Sequence, residues 1–254
     1  MIPLDLSGTV ALVTGAAGGL GQGIARRFAE AGADVAVHYR TSADEAEALV
    51  RELRTLQVRA AAFGADLRAE DECRALVDTV AADFGRLDAV VNNAGVQPVQ
   101  PLAEMTADAW RAVVDTNVSG TFAVTQAAAR IMAEAGGGSV THIASIEGSQ
   151  PARDHAHYCA SKAAIIMHAR SAALEYGASG IRVNSVSPGL IDRPGLTEDW
   201  PDGVRRWRSS APLTRLGTPD DVGSACVFLA SPLASWITGH NLVVDGGVSA
   251  APTW

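Results

Sequence analysis

Tyr158 and Lys162 are the side chains whose spacing most directly suggests chemistry. They stand four residues apart in a stretch with a helical pattern, and residues four apart lie on one face of a helix. A free tyrosine has a pKa of about 10, and a nearby ammonium group favours its ionised form. The pair therefore predicts a phenol that acts as a general acid or base. Because such pairs also occur as exposed helix neighbours, this hypothesis needs support from other residues.

Ser145 and Asn117 provide that support. Ser145 falls at the end of a predicted strand, and open α/β sheets bind ligands at the carboxyl ends of their strands. A hydroxyl there can hold a substrate oxygen while Tyr158 exchanges its proton. Asn117 interrupts an otherwise good helical pattern, and asparagine is unfavourable inside a helix. We therefore expect a functional reason for Asn117, such as a local break in the helix that admits water.

A glycine-rich segment lies between the first predicted strand and the first predicted helix. It contains Gly15, Gly19, Leu20 and Gly21. Glycines in this position allow a tight turn and let the backbone approach a pyrophosphate, and the helix N-terminus offers free N–H groups. The strand–loop–helix context favours a dinucleotide site over a merely flexible turn.

The end of the second predicted strand bears on which dinucleotide binds. A carboxylate there would hydrogen-bond the adenosine ribose and select NAD, but the sequence has Tyr39, followed by Arg40, Thr41 and Ser42. An arginine can form a charge-assisted pair with a 2′-phosphate. We therefore predict a preference for NADP, with NAD as the alternative if Arg40 only covers the adenine or faces solvent.

The elements that must position these residues alternate along the chain. Apolar runs predict strands at Thr9–Thr14, Asp34–Tyr39, Arg59–Ala65, Leu87–Asn93, Ser139–Ser145, Arg182–Ser187 and Asn241–Asp245. Helical patterns predict helices at Leu20–Ala31, Ala43–Leu56, Glu70–Phe84, Ala107–Ala135 and Ala156–Tyr176, and Thr218–Asp221 has the residues that open another helix. Such alternation indicates a parallel sheet covered on both faces. The predicted fold class is therefore α/β, a Rossmann-type doubly wound sheet of seven parallel strands in a three-layer α/β/α arrangement. We expect a single domain over residues 1–254, with strand order 3-2-1-4-5-6-7.

The segment from Gly189 to Ser210 departs from this regular pattern. It is rich in glycine, proline, tryptophan and arginine and is too long for an ordinary connection. We predict a substrate lid at about residues 189–210, in which Trp200 and Trp207 cover an apolar substrate or pack the lid onto the body.

Three residues between Ser145 and Tyr158 are candidates for lining a substrate site, by location alone: Glu147, Gln150 and His155. His155 and His157 also form an H-x-H pair, but no third ligand stands nearby. We therefore predict no metal.

Composition narrows the classes of partner. The formal net charge of -8 disfavours nucleic acid, whose binding proteins usually carry a basic face. No uninterrupted apolar run is long enough to cross a bilayer, so we expect no membrane partner. No basic and apolar leader pattern precedes the first predicted strand, so we expect no secretory signal. The three cysteines are scattered, which suggests no disulfide framework and favours a cytoplasmic location.

In order and spacing, these motifs resemble those of the single-domain short-chain dehydrogenase/reductase superfamily, in the branch that contains 3-oxoacyl-ACP reductases and glucose dehydrogenases. The resemblance runs from Thr14 to Gly247. It rests on Thr14-Gly15-x-x-x-Gly19-x-Gly21, Asn92-Asn93-Ala94-Gly95, Asn117, Ser145, Tyr158-x-x-x-Lys162, Asn184 and Pro188-Gly189.

The resemblance implies transfer of a hydride between a nicotinamide and a ketone or secondary alcohol. Tyr158 would be the acid in reduction and the base in oxidation, and Lys162 would bind the nicotinamide ribose and lower the Tyr158 pKa. Ser145 would orient the carbonyl, and Asn117 would hold a water that links Lys162 to solvent. Further cofactor contacts are implied for Asp66, Leu67, Asn93, Ala94, Gly95, Pro188, Gly189 and Ile191.

Arg193 is a departure from the family pattern, which usually has a threonine that contacts the cofactor at this place. An arginine there can reach the pyrophosphate or an anionic substrate group, or it can face water. The contact to the nicotinamide in this region is therefore open.

Several alternatives remain at this stage. A non-catalytic nucleotide-binding regulator would not need Ser145, Tyr158, Lys162 and Asn117 together. A sugar-nucleotide epimerase usually carries a longer substrate domain than the 92 residues that follow Lys162. A 3-oxoacyl-thioester reductase and a dehydrogenase of sugars, steroids or small alcohols are not separated. The resemblance also implies a homotetramer, formed by the helices near Ala107–Ala135 and Ala156–Tyr176 and by the C-terminal strand region.

Overall fold

The computed structural model describes residues 4–250, and seven parallel strands form one sheet at its centre. The strands are β1 (Val10–Val13), β2 (Asp34–Tyr39), β3 (Ala60–Gly64), β4 (Ala89–Asn92), β5 (Gly138–Ile143), β6 (Ile181–Pro188) and β7 (Asn241–Val244). Their order is β3-β2-β1-β4-β5-β6-β7, and every adjacent pair is parallel. The predicted α/β class, sheet and strand order are confirmed.

Helices cover both faces of the sheet. They are α1 (Gly19–Glu30), α2 (Ala43–Arg54), α3 (Glu70–Phe84), α4 (Ala107–Val114), α5 (Gly120–Glu134), α6 (Ala156–Tyr176), α7 (Leu196–Asp199), α8 (Pro201–Ser210) and α9 (Pro219–Ala230). The start of α9 has the predicted cap, because the Thr218 hydroxyl and the Asp221 carboxylate bond each other's backbone N–H groups. In the described ranges, no helix is both long and apolar enough to span a membrane.

Alternation along the strands divides the core into two layers. In β1, Ala11 and Val13 pack with α1, α2 and α9, whereas Val10 and Leu12 pack with α3, α5 and α6. Successive strand residues point to opposite faces of a sheet, so a strand buried on both sides must be apolar throughout. This explains why the predicted strands are continuous apolar runs.

Two segments differ from the predicted elements. The helix predicted over Ala107–Ala135 is split by a π-helical turn at Asp115–Ser119, which confirms the break expected at Asn117. The irregular segment predicted over residues 189–210 contains the two helices α7 and α8. These helices form because Pro201 begins α8 at its first turn and Val204 packs with Leu196 and Leu216 in a small separate cluster.

The topology brings the chemical residues to one edge. The strand order reverses between β1 and β4, and ligands of open α/β sheets bind at such a switch point, outside the carboxyl ends of the strands. The loops that follow β1, β4, β5 and β6 carry the glycine-rich segment, Asn93, Ser145 and Gly189, respectively.

Candidate active site

A cleft of about 870 Å³ lies along this edge of the sheet. Every residue predicted to bind the cofactor lines it, as do Ser145 and all of the predicted substrate residues except one. The exception is Gln150, which is exposed and lies outside the cleft. Asn117 is buried behind the wall rather than in it. Residues scattered over the whole chain therefore meet in one place.

The glycine-rich segment forms a tight turn that leaves one side open. Gly15 has φ +62°, and a Cβ there would lie 2.9 Å from the Cα of Ala94. A Cβ on Gly21 would lie 2.3 Å from the carbonyl oxygen of Gly15, so neither site accepts a side chain. A Cβ on Gly19 would meet nothing within 4 Å. A side chain at Gly19 would thus enter the open space beside the turn, where a phosphate would approach.

The first turn of α1 offers hydrogen-bond donors to this space. Gly18 caps the helix without any side-chain hydrogen bond, and the N–H groups of Gly19, Leu20 and Gly21 have no acceptor among residues 4–250. Free N–H groups and the helix dipole favour an anion at this end. The donor set therefore fits the pyrophosphate of a dinucleotide.

His38 links two loops of the cleft, and sequence reasoning missed it. The Gly15 N–H donates to its Nδ1 at 2.9 Å, and its Nε2 lies 3.1 Å from the carbonyl oxygen of Ala65. Burial lowers the pKa of His38, which favours the neutral ring with hydrogen on Nε2. The available signal was a polar residue within the apolar run of β2.

The end of the cleft where the adenosine is predicted to bind contains two arginines with different surroundings. Arg68 forms a bidentate ion pair with Asp66, which lowers the pKa of that carboxyl to about 2. Arg40 also lines the cleft but makes no ion pair with any described residue. Arg40 is thus the guanidinium whose charge is available to a ligand at this end.

Tyr158 and Lys162 lie together in the middle of the cleft. The Lys162 Nζ is 5.3 Å from the centre of the Tyr158 ring and donates a hydrogen bond to the Ile143 carbonyl at 2.7 Å. The Ser145 hydroxyl accepts from the Glu147 N–H at 3.1 Å. A hydrogen bond with Ser145 also acts on the phenol of Tyr158. The two hydroxyl groups are therefore placed to hold one substrate oxygen between them.

Burial dominates the pKa values of this pair. Burial raises the pKa of Tyr158, the Ser145 hydrogen bond opposes this rise, and the Glu147 and Cys159 charges add to it. Burial also lowers the pKa of Lys162 to about 8. The protein groups alone therefore do not produce the predicted lowering of the Tyr158 pKa, because burial disfavours both charged forms. The predicted lowering of the Tyr158 pKa therefore requires the positive charge of an oxidised nicotinamide.

Asn117 connects three segments from within the π-helical turn. Its Oδ1 accepts from the Val96 N–H at 2.8 Å, and its Nδ2 donates to the Val96 carbonyl and to the Ser161 hydroxyl, both at 3.0 Å. A Cβ on Gly95 would lie 3.2 Å from Asn117 Oδ1 and 3.7 Å from Lys162 Nζ. Asn117 therefore holds the loop that follows β4 against α6, close to Lys162.

Glu147 and His155 form a pair in the cleft wall beside Tyr158. The His155 Nδ1 is 2.8 Å from Glu147 Oε2, and both side chains are mostly buried. The Gln97 amide donates to Glu147 Oε1 at 3.2 Å. His157 faces elsewhere, since it is buried and its Nδ1 accepts from the Tyr158 N–H. The two histidines of the H-x-H pair therefore do not converge.

The predicted lid segment lines the end of the cleft where the nicotinamide is predicted to bind. A Cβ on Gly189 would lie 2.6 Å from the Trp207 ring, so this glycine allows the tryptophan to pack closely. Arg193 lines the cleft but pairs with Asp199 at 2.9 Å. Trp200 also lines the cleft and is half exposed. The segment thus presents aromatic surface to the cleft, and the Arg193 charge is already paired.

Known proteins with similar sequences and folds are dehydrogenases and reductases. Residues 15–249 match the family described as Enoyl-(Acyl carrier protein) reductase. The chain is 42% identical to cis-4-hydroxycyclohexanecarboxylate dehydrogenase of Sinomonas cyclohexanicum, over 95% of this chain and 96% of that protein. Two solved structures are similar, each with a TM-score of 0.92. The first is 7α-hydroxysteroid dehydrogenase complexed with NADH and 7-oxo glycochenodeoxycholic acid, at 36% identity and 96% coverage of both chains. The second is a gluconate 5-dehydrogenase from Burkholderia cenocepacia in complex with NADP and tartrate, at 32% identity and 98% coverage of both chains.

Proposed function

The chain belongs to the short-chain dehydrogenase/reductase superfamily and is an oxidoreductase that acts on CH–OH groups, and we propose that Tyr158 is its acid and base. The observation that carries this proposal is the placement of Tyr158, Ser145 and Lys162 in one cleft with the open turn at Gly19. A non-catalytic regulator would have no need for this arrangement.

The residues of the cleft account for the proton in each direction of the reaction. A bound nicotinamide dinucleotide supplies or accepts the hydride. In reduction, Ser145 and Tyr158 donate hydrogen bonds to the carbonyl oxygen. When the carbonyl carbon is reduced, the carbonyl oxygen would take the Tyr158 proton. Lys162 then stabilises the phenolate until it regains a proton from the side of Asn117. Oxidation runs these steps in reverse.

We propose that NADP is the preferred cofactor, and Arg40 supports this. Its guanidinium lines the adenosine end of the cleft without an ion pair in the described chain. A carboxylate that would repel a 2′-phosphate is absent from the end of β2, where Tyr39 stands. NAD is the alternative, because similar structures hold either NADH or NADP.

Turnover with the two nucleotides tests both proposals. Purified protein is assayed with NADPH and NADH against a panel of ketones, and with NADP and NAD against the matching alcohols. We expect turnover, with a higher kcat/KM for NADPH. The Arg40→Ala variant should lower the NADPH value about tenfold to a hundredfold, because a charge-assisted hydrogen bond is lost. The same variant should leave the NADH value near that of the wild type.

The control is Arg51→Ala, an exposed arginine of α2 outside the cleft. It should change neither value. A wild type that prefers NADH, or an Arg40→Ala variant with an unchanged NADPH value, contradicts the proposed role of Arg40. An absence of turnover with both nucleotides would contradict the enzymatic proposal itself.

We also propose a homotetramer located in the cytoplasm. Met167 and Leu174 of α6 are more than half exposed and lie two helical turns apart, and the exposed Phe122 of α5 packs against His168 of the same helix. Trp236, before β7, is almost fully exposed. Exposed apolar side chains on two faces are typical of subunit interfaces. The three cysteines are unpaired, which suits a reducing compartment.

A further inference from the structure

The Glu147–His155 pair is a polar cluster beside Tyr158 that the proposed reaction does not use. Both side chains line the cleft, and the rings of His155 and Tyr158 meet edge to face with their centres 6.1 Å apart. A substrate oxygen held by the phenol of Tyr158 would therefore lie close to the His155 ring.

The hydrogen bonds of Glu147 fix the roles of the two ring nitrogens of His155. A carboxylate only accepts hydrogen bonds, so the hydrogen in the 2.8 Å contact with Glu147 belongs to His155 Nδ1. When the ring carries a single hydrogen, the remaining nitrogen, Nε2, is an acceptor. Nε2 has no partner among the described residues and is not one of their buried unpartnered atoms. It is thus open to the cleft.

Glu147 also holds this orientation firmly. Its Oε1 accepts from the Gln97 amide at 3.2 Å, and the Cys159 thiol lies 3.6 Å from its Oε2. With both oxygens engaged by the protein, Glu147 serves to orient His155 and make Nε2 a better acceptor. A carboxylate that accepts a hydrogen bond from one ring nitrogen orients imidazole rings in the same way in metal and catalytic sites.

The charges at this end of the cleft select against anions. The cations nearest the substrate are Lys162, which is buried and bonded to the Ile143 carbonyl, and Arg193, which is paired with Asp199. Glu147 adds a negative charge beside Tyr158. A substrate carboxylate would thus meet the like charge of Glu147, while the two cations that line this end of the cleft, Lys162 and Arg193, already have protein partners.

We propose that His155, oriented by Glu147, is a specificity-determining residue that accepts a hydrogen bond from a second hydroxyl of a neutral substrate. The substrate class is an uncharged hydroxy ketone, or the corresponding diol, whose second hydroxyl stands close to the reacting carbon. This inference rests on the proposed function, because Tyr158 must hold the reacting oxygen.

Matched ketones test the proposal. The wild type is assayed with its better nucleotide against butanone, 3-hydroxybutan-2-one and 3-oxobutanoate, and against cyclohexanone, 2-hydroxycyclohexanone and 4-oxocyclohexanecarboxylate. We expect the hydroxy ketone of each set to exceed the plain ketone about tenfold or more in kcat/KM, the effect of one well-placed hydrogen bond. The oxo acid of each set should be the poorest substrate.

Variants at the pair separate recognition from a merely structural role. His155→Phe keeps an aromatic ring without an acceptor, so it should abolish the preference while plain ketones are still reduced. His155→Gln retains an acceptor oxygen and should restore part of the preference, and Glu147→Gln should reduce it. Ser149→Ala, an exposed residue of the same loop, should leave the preference at the wild-type value.

The outcomes distinguish this inference from the proposed function. Three results would overturn the role of His155 while the enzymatic proposal stands. They are equal reduction of plain and hydroxy ketones, a preference that survives in His155→Phe, and an oxo acid as the best substrate. A wild type that reduces no member of either set contradicts the proposed function and this inference with it.

Discussion

Tyr158 and Lys162 are both buried, and burial acts on each group in the direction that removes its charge. The pKa of Tyr158 is raised, and that of Lys162 falls from 10.5 to about 8. A neutral phenol is the form that donates a proton in reduction, and a lysine that titrates near neutral pH can exchange protons with it. The local environment thus favours the neutral phenol that reduction requires.

The Lys162 pKa predicts a pH dependence of stability. Between pH 8 and 10.5 the unfolded chain binds more protons at this lysine than the folded one, so the free energy of unfolding rises with pH. The cost of burying the charge is fully present below pH 8. Relative to Lys162→Met, the wild type should therefore gain about 1–2 kcal/mol between about pH 8 and 9.5. Urea unfolding of both proteins across this range measures the difference, and a flat difference would exclude a lowered pKa.

Spacing and residue type were enough to predict the residues that act through local geometry. Tyr158 and Lys162 share a helix face. Gly15 stands in a tight turn that requires its positive φ of +62°. His38 could not be found in this way, because its partners Gly15 and Ala65 lie 23 and 27 residues away. Likewise, the ion pair between Arg193 and Asp199 depends on how α7 returns toward the segment that precedes it. Tertiary contacts of this kind leave no mark in a local pattern.

The π-helical turn is the element that places Asn117. A π-turn adds one residue to a helical turn and is frequent at functional sites. Here it directs the Asn117 amide toward Val96 and Ser161. The sequence indicated a break because asparagine disfavours a helix interior, but it did not indicate its type, which depends on these distant partners.

Asn117→Ala tests what this turn does. The change removes three hydrogen bonds and leaves the backbone N–H and carbonyl of Val96 without their side-chain partner. We expect a loss of about 2–3 kcal/mol in the free energy of unfolding, together with a lower kcat, since the loop beside Lys162 is released. Ser119→Ala, in the same turn but exposed, is the control for both measurements. Full activity in Asn117→Ala would show that the turn is only structural.

The lid segment shows where prediction of elements reached its limit. Its composition indicated an irregular connection, yet α8 buries Val204 against Leu216 in a cluster separate from the main core. Two apolar positions in a charged, tryptophan-rich stretch give too weak a period to predict a helix. The tertiary contact with Leu216 therefore decides the local structure.

At the scale of the whole molecule, the strand order creates the site. Because the chain reverses direction across the sheet between β1 and β4, the adjacent loops diverge and leave a cleft. The sequence predicted this topology, since alternation of strands and helices permits few right-handed arrangements. Assembly was implied only by resemblance, and the exposed apolar faces now give it a physical basis.

Charges placed on these faces test the proposed tetramer. Met167→Glu and Leu174→Glu together should disrupt the interface at α6, and Trp236→Glu should disrupt the one near β7, because each buries a charge in an apolar contact. We expect a dimer in either case and a monomer when all three changes are combined, as measured by light scattering. Leu56→Glu, at an exposed apolar residue after α2, should leave the tetramer intact. A monomeric wild type would contradict the proposal.

The central claim is that the Tyr158 hydroxyl transfers the proton while the cofactor transfers the hydride, and Tyr158→Phe tests it most directly. The measurement pairs kcat/KM for the best ketone with the Kd of the nicotinamide cofactor, for the wild type and the variant. We predict a fall in kcat/KM of about a hundredfold to ten-thousandfold, the usual contribution of a general acid, with an unchanged Kd. A variant that binds cofactor normally and keeps wild-type turnover would contradict the account.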